Sequence, residues 1–422
     1  MLSPTSDEVP PEHAFVTRCA RAALDGTTVD RSELLVDRSL DWEYVIDVAD
    51  HNRVRPLVYR GLEAADEPGV PDDVRRRLRE AYQSNARRNL ALAGELHRVL
   101  RVCTEHGFRV LPFKGPVLTA SVYGDLALRS FADLDLLVAP EDVSEVTTVL
   151  QEQGYELTGS VRRHGDSVLF GGTGTPPILV EYPLHRPTDG IRTEIRWRIG
   201  QFTRPFGAEF ETLWRNREPV VVGGQPLDGL SSIDRLLVLA YHGTKHLWTQ
   251  LKWVCDIAAW VREHPTVSWE RVFDRAEQYG VERSVLVALA LIETLLQYDL
   301  PSDVETRLRG DARARALASD AADGYWSRVT DPTPPIPTDI PLWERTWYNA
   351  RASDSPRAAL TVLWRSYFDV IAPDGRDYNV VPLPPSLYPV YYLVRPVRVA
   401  MSRAVDVRAD IERTNGSDRE HG

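Results

Sequence analysis

The stretch that decides the fold is Phe113-Lys114-Gly115, followed further on by Ala132-Asp133-Leu134-Asp135-Leu136-Leu137-Val138. It predicts a strand, a tight turn, a helix and a second strand that begins with two carboxylates. Side chains alternate between the two faces of a strand, so Asp133 and Asp135 project to the same face. Two neighbouring acids repel each other unless a cation lies between them. Oxygen-rich pairs of this kind suit Mg²⁺, which also keeps waters and substrate phosphates among its ligands.

The turn before the predicted helix is a candidate phosphate-binding element. Pro116 is the expected first helical residue, and a helix N-terminus presents free N–H groups and a partial positive charge to an anion. Gly115 permits close backbone approach, and Lys114 adds a charge. Arg129, four residues before Asp133, can reach a phosphate from the loop. Each signal is weak alone, and their combination in one short segment is much stronger.

Phosphoryl or nucleotidyl transfer requires charge neutralisation, an anion cradle and alignment, and a third acid usually completes a two-aspartate metal site. The segment Arg192–Arg198 has strand character, and its Glu194 is the favoured third acid. Glu181 is the rival. Glu194 alternates with Arg196 and Arg198, so one face of this strand carries an acid and two cations. That combination fits a site for both metal and triphosphate.

A second group of polar residues follows in a helical region, as His242-Gly243-Thr244-Lys245-His246 and then Lys252-Trp253 with Asp256. We expect these residues to face the acids and to contact base, ribose or acceptor. A polar seam between domains is the main alternative. His242 and His246 share a helix face and could ligate zinc, but no glutamate follows the first histidine and no third ligand is evident.

Lysine usage also points to these segments. Of 50 basic residues only three are lysine, and they are Lys114, Lys245 and Lys252. Lysine offers a compact point charge where arginine offers a planar fork, so a site built for one can refuse the other. The pattern predicts phosphate or carboxylate contacts at all three positions. The alternative is chance survival at solvated positions.

Composition narrows the class of protein. The chain has 422 residues and 43% apolar content, enough for a packed core and for two or three domains. No apolar stretch is long enough to span a membrane, and the polar start of the chain is not a signal peptide. The net charge of −11 argues against general nucleic-acid binding. Three scattered cysteines without pairing or zinc spacing predict a reducing, cytoplasmic location.

Periodicity and breaks divide the chain into segments. They are a disordered tail at 1–12, a helical region at 13–106, a strand-and-helix core at 107–230, a helical domain at 231–328, a linker with a C-terminal helical region at 329–412, and a disordered tail at 413–422. Within the core, further strands are expected around Ser167–Phe170, Ile178–Tyr182 and Arg192–Arg198, and residues 171–174 are expected to form a turn. Near the end of the chain, helices are expected around Ser355–Val370 and Leu387–Glu412.

These motifs together resemble a known family. The block from Phe113 through the helix ending at Tyr123-Gly124, then Arg129, the acid strand and Gly154-Tyr155, resembles the uncharacterised nucleotidyltransferase family of the polymerase-beta-like superfamily. Glu194-Ile195-Arg196-Trp197 is similar to that family's acid-apolar-histidine-tryptophan strand. The segment from His242 to Asp256 is similar to its downstream helices.

The resemblance implies an α+β fold, with a small mixed β-sheet core, flanking helices and a mainly helical companion domain. It implies transfer of a nucleoside monophosphate from an NTP such as ATP to a hydroxyl, with Mg²⁺ (or Mn²⁺) and release of pyrophosphate. The implied metal ligands and catalytic acids are Asp133, Asp135 and Glu194. The residues expected to bind nucleotide are Lys114, Gly115, Arg129, Arg196, Lys245, Lys252, His242 and His246.

The chain departs from the pattern at two points. The superfamily usually has Gly-Ser at the turn, where this chain has Lys114-Gly115, so the phosphate cradle differs in detail. The expected histidine is Arg196, which cannot act as a base but can contact phosphate.

Two alternatives to an active transferase stay open. One is a non-catalytic nucleotide sensor or scaffold on the same fold. The other is a metal-dependent hydrolase that uses His242 and His246. The acceptor is equally open, since a sugar, an antibiotic-like small molecule, a peptide or a protein side chain would all fit.

Overall fold

The structure is a computed structural model. It describes residues 9–27, 40–65, 69–158, 163–164, 167–168, 181–200, 204–327 and 340–371, together with 383, 387, 390–395 and 397–398 near the C-terminus. The expected turn at 171–174, and most of both tails, of the linker and of the terminal helix, lie outside these residues.

A five-stranded mixed sheet forms the centre of the α+β fold predicted from the sequence. The described residues form, in the main sheet and in two hairpins together, the strands β1 (Val110–Pro112), β2 (Asp133–Val138), β3 (Glu156–Leu157), β4 (Arg163–His164), β5 (Ser167–Val168), β6 (Glu181–His185), β7 (Arg192–Arg196), β8 (Glu218–Val222) and β9 (Gln225–Gly229). The order in the main sheet is β1-β2-β7-β6-β3. β2 and β7 run parallel, and the other neighbours are antiparallel. The pairs β4–β5 and β8–β9 form separate hairpins.

Helices pack around the sheet, and further helices precede its first strand and follow its last strand in the sequence. They are α1 (Pro11–Asp25), α2 (Trp42–His51), α3 (Arg55–Ala65), α4 (Asp72–Glu105), α5 (Gly115–Val122), α6 (Val143–Glu152), α7 (Phe210–Arg215), α8 (Ser232–Lys245), α9 (Leu251–Glu263), α10 (Trp269–Tyr279), α11 (Glu282–Leu296), α12 (Ser302–Gly310), α13 (Ala312–Ser327), α14 (Leu342–Arg351) and α15 (Pro356–Ile371). None of the helices in the described residues is both long and apolar enough to cross a membrane.

Alternation along β2 and β7 gives the sheet one apolar and one charged face. Leu134 and Leu136 of β2 and Ile195 of β7 are buried in a core shared with one side of α4. Asp133 and Asp135 therefore lie on the opposite face of the sheet. In the plane of the sheet, the N–H of Phe113, the residue after β1, donates to the Asp135 carbonyl over 3.3 Å. The acid strand is thus anchored on one side by apolar burial.

The helix α4 braces the sheet with polar side chains inside its apolar stripe. Glu95 accepts hydrogen bonds from both terminal nitrogens of Arg186, at 2.8 and 2.9 Å, and from the hydroxyl of Tyr155 at 2.6 Å. Asn85 and Asn89 donate to the carbonyl of Arg129 over 3.2 and 2.8 Å. The helix α4 therefore fixes the loop that precedes the acid strand.

The corner between α8 and α9 is tightly built. Ser231 caps α8 by accepting from the Asp234 N–H. After α8, Leu247 and Trp248 both adopt left-handed backbone with φ of 56° and 53°, a conformation that costs energy for residues other than glycine. Trp248 lies over Gly243, where an added Cβ would stand 2.4 Å from the indole. Trp248, Trp253 and Trp260 are all buried in the core.

Several element boundaries differ from the sequence predictions. α1 begins at Pro11, inside the stretch expected to be a tail. The strand expected at Ile178–Tyr182 is described from Glu181 to His185. α14 was not predicted, and it carries large apolar residues on its exposed side, including Trp343 at 72% and Trp347 at 57% exposure.

Candidate functional site

The acid face consists of Asp133, Asp135 and Glu194. In the parallel pairing of β2 with β7, Asp135 lies directly opposite Glu194, and alternation places Asp133 on the same side. Glu181, the rival third acid, is one strand further away on β6, where it pairs with Arg196. The register therefore favours Glu194 over Glu181 as the neighbour of the aspartates.

Arg196 lies among these acids. Its guanidinium contacts Glu194 at 2.7 Å and Asp135 at 3.5 Å, and it also forms an ion pair with Glu181. Burial disfavours its charge, but the three carboxylates outweigh burial and raise the pKa of Arg196. One arginine thus joins acids from β2, β6 and β7.

The two aspartates are in different electrostatic states. Burial raises the pKa of Asp133, and the neighbouring charge of Asp135 raises it further. Burial acts on Asp135 too, but Lys114 and Arg196 outweigh it, so that its pKa is lowered. Within the described part of the chain, the Asp133 carboxylate makes no hydrogen bond or ion pair. Asp133 is therefore the acid that most lacks a cation.

The pKa of Glu194 is raised, as is that of Asp133. Burial and the charge of Asp135 raise the pKa of Glu194, although Arg196 partly opposes the rise. Its carboxylate accepts hydrogen bonds from Arg196 over 2.7 and 3.2 Å.

The predicted turn and helix lie next to the acids. α5 begins at Gly115, which has a φ of +55°, and a Cβ there would stand 3.0 Å from the Asp133 carbonyl oxygen. Glycine is needed because of both the left-handed backbone and the close approach. Lys114 immediately precedes α5 and donates a hydrogen bond to Asp135 over 3.4 Å. The turn and the acid strand therefore form one unit.

All three lysines of the chain meet at this place and form the lysine cluster of Lys114, Lys245 and Lys252. Burial, with Arg196 and Lys114 nearby, lowers the pKa of Lys245 to about 7. Burial and Arg129 lower that of Lys252 to about 7, while Asp256 and Asp133 partly oppose the change. Among the described residues, neither the Lys245 nor the Lys252 ammonium has a hydrogen-bond or ion-pair partner.

An aromatic group lies beside the lysine cluster. The rings of His242 and His246 are 4.7 Å apart, and His246 stacks on Trp253 at 5.2 Å. Burial, followed by the charges of the surrounding lysines, lowers the pKa of both histidines well below the usual value. Both imidazoles are therefore neutral at physiological pH.

Arg129 is held by a partner that the sequence analysis did not assign to it. Its Nε and Nη2 donate to the two oxygens of Asp256 over 2.8 and 3.0 Å, and the Tyr123 hydroxyl donates to Asp256 over 2.8 Å. The side chains of Arg129 and Asp256 are only 6% and 1% exposed. Arg129 thus joins the loop before β2 to α9, and its predicted phosphate contact is left to the edge of the guanidinium that Asp256 does not use.

Asn52 is a further residue that sequence reasoning missed. Its side-chain oxygen accepts from the Leu251 N–H at 2.9 Å, and its carbonyl accepts from the Lys252 N–H at 3.2 Å. It therefore satisfies the first turn of α9 and positions Lys252, although it belongs to the N-terminal helical region.

The site can be tested for its fit to a divalent cation. Within the described residues, no three His, Cys, Asp or Glu side chains are placed to hold a metal together. This applies to the histidine pair, which gains no third ligand, and to the acid face, where Arg196 separates Glu194 from the aspartates. Magnesium, however, is commonly held by one or two carboxylates together with waters and substrate phosphates. Asp133 and Asp135 meet that smaller requirement.

A mixed sheet with acids on adjacent strands, beside a glycine turn and a basic helical wall, is the arrangement expected of a nucleotidyltransferase. The family comparison agrees, because the model of a family described as uncharacterised nucleotidyltransferase matches residues 38–297. The chain belongs to that family, which supports nucleotidyl transfer in general. No curated protein matches the chain.

Proposed function

We propose that the protein transfers a nucleoside monophosphate from a nucleoside triphosphate to an acceptor hydroxyl, with release of pyrophosphate and dependence on Mg²⁺ or Mn²⁺. The proposal depends mainly on one observation, which is that the acid face and the lysine cluster lie next to each other. Asp133, which has no cation partner in the described residues, lies there with the Lys245 and Lys252 ammonium groups, which have no anion partner there, and a metal–triphosphate complex would supply both.

Asp133 and Asp135 would hold the divalent cation. Asp133 has no competing ion pair in the described chain, and Asp135 is kept ionised by Lys114 and Arg196. When bound, such a cation neutralises charge on phosphate oxygens and stabilises the charge that develops during transfer.

The lysine cluster binds the triphosphate. Lys245 and Lys252 lose their proton easily without an anion, because burial and nearby cations oppose their charge. A polyphosphate beside them restores the charged form, so binding and protonation support each other. Lys114 and the Gly115 turn provide the third contact from the sheet side.

Glu194 accepts the proton of the attacking hydroxyl. We assign this role to Glu194 because it lies opposite Asp135 in the strand register and because burial makes it a stronger base than a solvated glutamate. Arg196 holds and orients it. Neutral His242 and His246 form the surface expected to contact base or ribose, and buried Trp253 supports it from behind by stacking on His246.

The test uses Asp135→Asn and Asp133→Asn with α-labelled NTPs, Mg²⁺ and a cell extract as the source of acceptors. We expect labelling in the wild type and a loss of about a hundredfold or more in each variant, since a metal supplies several kcal/mol and each 1.4 kcal/mol is a factor of ten. Asp228→Asn is the matched control, because Asp228 also pairs with an arginine, Arg217, but on the β8–β9 hairpin. Equal labelling by wild type and both site variants would contradict the proposal.

One observation favours a second candidate, a nucleotide-binding sensor without transfer. Lys114 and Arg196 already pair with Asp135, so part of the acid charge is neutralised within the protein. Tight Mg²⁺–NTP binding without pyrophosphate release, across a broad set of acceptors, would select this candidate over the transferase.

A further inference from the structure

Arg196 is the most unusual residue of the acid face. It is 7% exposed, and its guanidinium pairs with Asp135 of β2, Glu194 of its own strand and Glu181 of β6. A cation enclosed by three carboxylates is an electrostatic substitute for a metal ion. The planar fork of arginine suits this arrangement, because it can contact several carboxylates at once.

We propose that Arg196 is a built-in cation that takes the place of a second divalent ion, so that the protein binds one divalent ion through Asp133 and Asp135 and none at Glu194. Two-metal enzymes need a second cation about 3.5–4 Å from the first. Here the space between Asp135 and Glu194 holds the guanidinium instead. This inference depends on the proposed function only where it takes a nucleoside triphosphate to be the substrate that the ion binds.

The open position lies on the Asp133 side. The hydrogen bond from Lys114 and the shortest contact from Arg196 both reach Oδ1 of Asp135. Asp133, two residues earlier on the same face, has no ion pair within the described chain. An incoming ion therefore meets uncompensated oxygen on this side and an existing cation on the other.

Arg196 is also too well held to leave when an ion binds. Its release would leave the carboxylates of Glu181, Glu194 and Asp135 without their shared partner, and a buried charge left without its partner is strongly unfavourable. A divalent ion can replace Arg196 only where the arginine has been removed.

The first experiment counts ions. Mn²⁺ alone is titrated into the full chain, and the free ion is followed by electron paramagnetic resonance. We expect one bound ion in the wild type and two in Arg196→Met. Arg192→Met is the matched control, because Arg192 lies on the same strand and face, next to Asp133 in the register, but forms no ion pair in the described chain. We expect one ion there.

The second experiment measures thermal stability in EDTA and in Mg²⁺. Arg196→Met leaves three carboxylates to repel one another, so its melting temperature should fall in EDTA and recover with Mg²⁺ by more than that of the wild type. If this variant does not fold, Arg196→Lys replaces it. A lysine cannot span three carboxylates, so we expect a second Mn²⁺ there with weaker affinity than the first.

Two bound ions in the wild type, or a single ion in the Arg196 variants, would overturn the proposal. These outcomes are separate from failure of the proposed function. NTP turnover by a wild type that binds two ions rejects the role of Arg196 but keeps the transferase. One ion without turnover keeps the role of Arg196 and rejects the transferase.

Discussion

Arg129 and Asp256 are 127 residues apart in the sequence and form a buried ion pair with two hydrogen bonds, at 2.8 and 3.0 Å. The pair joins the loop that leads into β2 to the middle of α9. Since β2 carries the aspartates and α9 carries Lys252, the two charged halves of the site are connected through this contact. Tyr123 adds a third hydrogen bond to the same carboxylate.

We predict that Asp256→Asn and Arg129→Met each destabilise the protein by about 3–5 kcal/mol, because each leaves a buried charge without its partner. The midpoint of denaturant unfolding measures the effect. The exposed pair Arg217–Asp228 is the control, and Arg217→Met should cost about 1 kcal/mol or less. An equal loss of stability at the two pairs would show that the Arg129–Asp256 pair does not hold the loop before β2 against α9.

Lys252 allows a prediction about pH. Its pKa is about 7 in the folded protein and about 10.4 in an unfolded chain. The unfolded state therefore binds more protons between these values, and wild-type stability rises with pH across that window. Lys252→Met removes the penalty, so the variant should be the more stable protein at pH 7, by a few kcal/mol at about 1.4 kcal/mol per pKa unit, and should lose its advantage near pH 10.5.

Thermal unfolding of wild type and Lys252→Met at several pH values measures this difference. Arg198→Met, which removes an exposed cation just beyond β7, should show no such trend. A Lys252→Met variant that is less stable than wild type at pH 7 would contradict the assignment. Nucleotide affinity should fall in Lys252→Met although stability rises, since a site residue trades stability for binding.

Gly115→Ala tests the turn. The substitution places a Cβ on left-handed backbone and 3.0 Å from the Asp133 carbonyl, so we expect a loss of about 1–2 kcal/mol in stability and a larger loss of turnover, because Asp133 must shift. Gly124→Ala is the control, with a φ of +70° but nothing within 4 Å of its Cβ. It should share the stability loss and keep its activity. Equal activity losses in both variants would argue that proximity to Asp133 is unimportant.

The local part of the site was predictable from the sequence. The strand, turn and helix around Lys114-Gly115 and the alternation of Asp133 with Asp135 depend on neighbouring residues, and they appear as predicted within a few residues. The choice of Glu194 drew on strand alternation, and the register places it opposite Asp135. The α+β class was predicted as well.

The long-range contacts were not predictable in the same way. Asp256 was noticed only as part of a helical group, because nothing in one sequence tells which buried arginine it meets. Asn52 gave no signal at all, since its role depends on the packing of α2 against the start of α9. The position of Arg196 among three acids needed the strand order, which follows from tertiary structure rather than from periodicity.

The gathering of all three lysines at one place has a chemical consequence. Apart from the amino terminus, every primary amine of the chain lies beside the acid face, and a pKa of about 7 leaves about half of Lys245 and of Lys252 unprotonated, and therefore nucleophilic, at pH 7. An acylating dye that scatters over the surface of most proteins should here react at the site itself. The dye becomes a selective reporter of occupancy, and a bound triphosphate should shield the amines from it.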